Sequence, residues 1–122
     1  MCSPTLTGAS VQRRESDVVL KWTVVGDMPA SGTWLLSTTV IGGENGPIHQ
    51  FGVKALDGRI IAAFIFDHGA AFQHNCQVNP SRTGDVWTVA FPTSDVDLSE
   101  FGRWEANLNL NGSDTNIVQG AL

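Results

Sequence analysis

The chain has 122 residues, enough for one domain over residues 1–122 and no comfortable second. Hydrophobic residues make up 42% and charged residues 16%, which excludes disorder driven by high charge and low hydrophobicity. The net charge is -5 and the only basic cluster is Arg13-Arg14, so the basic stripe that nucleic acid requires is missing.

Thr5 to Gln12 is Thr/Ser-rich and reads as a weak first strand. Asp17 to Val25 is a clear one: Val18, Leu20, Trp22 and Val24 alternate with Val19, Lys21, Thr23 and Val25. Gly26 to Gly32 breaks the pattern, and Thr33 to Ile41 resumes it. Gly42 to Pro47 (GGENGP) reads as a long hairpin loop.

Gln50 to Phe66 organises the chain. Two apolar runs flank Asp57-Gly58, a pair that favours the positive φ angles of a two-residue hairpin turn. Folding about that pair puts Phe51, Val53 and Ala55 on one apolar face with Ile60, Ala62, Phe64 and Phe66. Gln50, Gly52, Lys54 and Leu56 then share the other face with Arg59, Ile61, Ala63 and Ile65. On this register Phe64 belongs to the core, and Phe64→Ala is expected to cost ~3–5 kcal/mol.

Ala70 to Val78 is a moderate strand, Asn79 to Gly84 a turn, and Asp85 to Phe91 an alternating strand with Trp87, Val89 and Phe91 on one side. Pro92 to Gly102 is the one place where a helical turn is expected, capped by Ser94 or Asp97. Arg103 to Leu110 is a strand and Asn111-Gly112 a second tight turn. That pairing places Trp104, Ala106, Leu108 and Leu110 on one face and Glu105, Asn107, Asn109, Asp114 and Asn116 on the other.

About eight short strands at near-regular spacing, with no sustained helical stripe, predict an all-β fold. The expectation is a single antiparallel β-sandwich. A small closed β-barrel is the alternative, because strand period and spacing do not separate the two. The longest apolar run, Ile60 to Phe66, has seven residues, far below the ~18 of a transmembrane helix. No intact signal peptide is present, so export would require a signal removed upstream.

The residues that could carry chemistry are sparse. His49, His68, His74 and Cys76 lack the paired ligand spacing of a zinc site. Asp95, Asp97 and Glu100 lack the glycine and further ligands of a calcium loop. There is no GxSxG elbow, phosphate loop or dinucleotide fingerprint, and no cofactor is implied. Each of the four tryptophans shares a strand face with aliphatic residues, so core packing is expected rather than a sugar platform. Two readings of the cysteines stand open: a Cys2–Cys76 disulfide, or a loose Cys2 with Cys76 packed as a small hydrophobe. Cys2 after Met1 also suits a lipid anchor. The one candidate ligand surface is the polar face of Glu105, Asn107, Asn109, Asp114 and Asn116, whose plainer role is a solvated sheet face.

The stretches DVVLKWTVVGD, QFGVKALDGR and RWEANLNLNG resemble the immunoglobulin-like sandwiches of small exported actinobacterial proteins, namely secreted antigens and lipoprotein domains. The likeness spans about half the chain. It departs from true immunoglobulin domains in lacking Cys…Trp…Cys spacing and a tyrosine corner, since the chain has no tyrosine. Gly32-Thr33-Trp34 also resembles the start of lipocalin-like barrels. The first resemblance implies a secreted or cell-surface domain that binds an unidentified protein or small molecule without catalysis. The barrel alternative implies a carrier of an apolar ligand. An enzyme and a carbohydrate-binding module rank below both.

Overall fold

The computed structural model describes residues 4–42, 48–68, 71–92 and 101–121. They form ten strands: β1 (Thr5–Arg13), β2 (Asp17–Val25), β3 (Thr33–Gly42), β4 (Ile48–Leu56), β5 (Arg59–Asp67), β6 (Phe72–Asn75), β7 (Ser81–Thr83), β8 (Val86–Pro92), β9 (Phe101–Leu110) and β10 (Ser113–Ala121). Strands β1-β2-β8-β7 make one antiparallel sheet and β10-β9-β3-β4-β5-β6 the other. The fold is therefore all-β and a two-sheet sandwich. The closed barrel weighed from the sequence does not form, because each sheet ends in its own edge strands.

Alternation explains which side chains meet between the sheets. Val18, Leu20, Trp22 and Val24 of β2 are buried, and β8 adds Val89 and Phe91 opposite them. From the second sheet come Trp34, Leu36 and Val40 of β3, Phe51, Val53 and Ala55 of β4, and Trp104, Ala106 and Leu108 of β9. Two aromatic pairs fasten the layers: Trp34 meets Trp87 at 5.1 Å between ring centroids, and Phe51 meets Phe91 at 5.3 Å. Such tilted contacts add to the area they bury. The four tryptophans thus face inward, as the sequence predicts.

Both tight turns form with the expected backbone. Asp57 and Gly58 take φ of 51° and 80°, and Asn111 and Gly112 take 51° and 88°, the positive pairs of a type I′ turn. These turns also hold the start of β3. Gly32 N–H donates to Asp57 Oδ1 at 2.8 Å, and Asp57 N–H donates to the Gly32 carbonyl at 2.8 Å. Thr33 N–H donates to Asn111 Oδ1 at 2.9 Å, and Asn111 N–H returns to the Thr33 carbonyl at 2.8 Å.

The register of the central hairpin differs from expectation. Lys54 pairs with Ala62 but Ala55 pairs with Ile60, so Ile61 is an extra residue in β5. A bulge of one residue reverses every face beyond it. Ala63 and Ile65 therefore enter the core, while Ala62, Phe64 and Phe66 face outward. The expected core role of Phe64 is corrected accordingly. Phe51→Ala should cost about 3–5 kcal/mol and Phe64→Ala about 1–2 kcal/mol in urea denaturation, and the reverse order would restore the unbulged register.

Other differences are local. β7 forms inside the stretch read as a turn, and β6 is shorter than the expected Ala70–Val78. Of the loop expected over Gly42–Pro47 and the helical turn expected over Pro92–Gly102, residues 43–47 and 93–100 lie outside the described residues, while Gly42, Pro92, Phe101 and Gly102 belong to strands. Among the described residues, the Thr38 hydroxyl is fully buried on the inner face of β3 and has no hydrogen-bond partner. An unpaired buried hydroxyl costs free energy, so the near-isosteric Thr38→Val should stabilise the fold by about 1 kcal/mol. A thermal melt lower than that of the parent would overturn this.

Candidate functional site

The outer face of the six-stranded sheet carries the polar residues singled out from the sequence. Alternation along β9 turns Glu105, Asn107 and Asn109 away from the core, between buried Trp104, Ala106 and Leu108. Asp114 of β10 pairs with Asn109 across the turn. Its Oδ1 accepts from Asn107 Nδ2 at 2.6 Å and from Asn109 Nδ2 at 2.8 Å. Asn109 Oδ1 accepts in turn from Gly112 N–H at 2.9 Å. Glu105 accepts from Gln119 Nε2 at 3.1 Å and lies 3.7 Å from Arg103.

Asn116 does not join this face. Thr115 is an extra residue in β10, so Asn116 pairs with Leu108 on the inner side. There its Nδ2 donates to the Leu6 carbonyl of β1 and ties the two sheets together at their edge. Four of the five residues thus share the outer face, and the expected facing is corrected for Asn116. The bulge has the same effect here as in β5.

The two amide donors hold the Asp114 carboxyl below its ordinary value of 3.8, with Asn109 the larger cause and Asn107 the second. Because the folded value is the lower one, this stabilisation is complete above the ordinary carboxylate range. It is lost as pH falls through the lowered value. The side-chain amide resonances of Asn107 and Asn109 should therefore shift with an inflection below 3.8. An inflection at or above that value would show that the amides do not hold the carboxylate.

Beside this cluster the same face has a depression of about 460 Å³. Leu35, Ile61, Ala62 and Phe64 line it, with the polar Thr33, Lys54, Gln73 and Asn109. Phe64 pairs with Gly52, and its ring tip lies 2.5 Å from where a Cβ of residue 52 would stand. The absent side chain lets the ring lie down across β4. Ser37, the next residue along that row, is only 3% exposed. Sequence reasoning missed this site because it assigned Phe64 to the interior. An apolar run with no alternation contains no signal for the bulge.

No protein-family model, curated protein or solved structure matches the chain.

The histidines are spread out. His49 approaches Asp67, with Nε2 3.5 Å from Oδ2. His68 packs edge-on against Phe66, and His74 sits opposite Ile65 in β6. Among the described residues no group of three or more His, Cys, Asp or Glu side chains could hold a metal ion. Two smaller depressions, of about 330 and 270 Å³, flank the crossing segment 76–80, and Cys76 borders both. The Cys2–Cys76 disulfide and the lipid anchor at Cys2 fall on a residue outside the described ones. No helix of the described residues is long and apolar enough to cross a membrane.

Proposed function

We propose that the chain is a non-catalytic binding domain, secreted or displayed at the cell surface, whose ligand lies on the outer face of the six-stranded sheet. The observation that carries this reading is the amphipathic depression. Its volume of about 460 Å³ falls within the ~300–1,000 Å³ of small-ligand sites. Phe64 and the aliphatic Leu35, Ile61 and Ala62 line it together with amides, a hydroxyl and one ammonium group. The resemblance to exported actinobacterial sandwiches supports the extracellular placement.

Backbone-amide NMR tests the reading with three probe classes: soluble disaccharides, short uncharged peptides and an anilinonaphthalene sulfonate. At least one class should shift Gly52, Phe64 and Asn109 saturably, be weakened by Phe64→Ala, and be recovered unchanged. Shifts confined to other parts of the molecule, or chemical conversion of the probe, would overturn it.

A further inference from the structure

We infer that the depression takes a saccharide, stacked on Phe64 and hydrogen-bonded by the amides of Asn109 and Gln73. The inference rests on the binding reading above and names its ligand class.

The ring geometry comes first. Phe64 lies across Gly52, so the side turned away from the sheet borders the depression. A sugar ring presents a patch of C–H bonds with slight positive charge, which complements the negative face of an arene. A ring standing on edge would not offer that surface. Gly52 is what permits the flat pose, since a Cβ there would meet the ring at 2.5 Å.

The polar groups decide the next step. Hydroxyls both donate and accept, and side-chain amides are the neutral groups that do the same. Asn109 is already oriented, with one N–H on Asp114 and its carbonyl taking the Gly112 N–H. Its second amide hydrogen remains to be donated. Gln73 is likewise steadied by donating to Asn75 Oδ1 at 2.9 Å, which keeps its own carbonyl as an acceptor. Groups fixed before binding lose less entropy on binding. Among the described residues Lys54 is the single charged one lining the depression, so a polyanion has too few partners there.

Strand pairing argues against an extended peptide. Such ligands bind by adding to a strand edge, where backbone groups are unpaired. Beneath the depression β3 lies between β9 and β4, β4 between β3 and β5, and β5 between β4 and β6. The ladders of β3 and β4 are occupied on both sides, and β6 pairs β5 from Phe64 to Asp67, which leaves the short stretch of β5 before Ala63 as the one open edge there among the described residues. A purely apolar ligand would in turn strip water from the surrounding amides without replacing their hydrogen bonds.

The test is titration of the full chain with gluco-, manno-, galacto- and N-acetylglucosamine-configured disaccharides, read by the amide resonances of Gly52, Phe64 and Asn109. At least one sugar should saturate these shifts at millimolar concentration. Phe64→Ala and Gly52→Ala should each weaken it at least tenfold, the second by displacing the ring without deleting it. Thr88→Ala, on the outer face of the other sheet, should leave it unchanged. If no sugar moves these resonances while the peptide or naphthalene probe does, the saccharide assignment fails and the binding reading survives. If no probe of any class moves them, both fail.

Discussion

Replacing Trp22 by alanine should destabilise the fold by about 3–5 kcal/mol. Its side chain has no solvent exposure and projects from β2 into the space between the sheets. The indole N–H crosses that space and donates to the Ser37 carbonyl of β3 at 3.2 Å. Alanine would leave a large cavity, and close-packed neighbours fill such gaps only in part. Trp22→Phe separates the two contributions. It keeps most of the ring volume and loses the buried hydrogen bond, so about 1–2 kcal/mol is expected. Urea denaturation gives both values. A loss below about 1 kcal/mol for the alanine variant would mean that Trp22 does not join the layers.

Gly32→Ala should be nearly as damaging, at about 2–4 kcal/mol. Gly32 has φ of 81°, where an L side chain costs ~1–2 kcal/mol. A Cβ there would also collide with the Asn111 side-chain oxygen. That oxygen accepts the Thr33 N–H, so the collision would also break a hydrogen bond, with ~0.5–1.5 kcal/mol more lost. Asn111→Ala removes the bond without the backbone strain and should cost less. Equal midpoints for the glycine variant and the parent would show that the two turns do not grip β3.

The sequence makes some of this legible and hides the rest for definite reasons. Asp57-Gly58 and Asn111-Gly112 are readable because a two-residue turn depends on its own φ angles. The faces of β2, β8 and β9 are readable because apolar and polar residues alternate along them. The outward face of β5 is not, since residues 60–66 are apolar throughout and the bulge at Ile61 leaves no mark on such a run. The same applies to Asn116, which Thr115 moves from the polar face to the inner edge. The grip on β3 joins residues 25 and 78 positions apart, beyond the reach of any local pattern. Of the candidate site, Asn107, Asn109 and Asp114 follow from alternation. The depression needed the true facing of Phe64.

Strand β3 has one neighbour, β4, that is made soon after it, and another, β9, that is made only after β4 to β8. Trp34 must wait for Leu110 before its second side is paired. On the ribosome, a growing chain would hold a β3–β4–β5 ribbon with one long edge and several aromatic rings uncovered. Contacts so distant in sequence form slowly, and open edges recruit other chains. Yield in the cell should therefore depend on how quickly translation delivers β9, or on chaperones that shield the waiting edge.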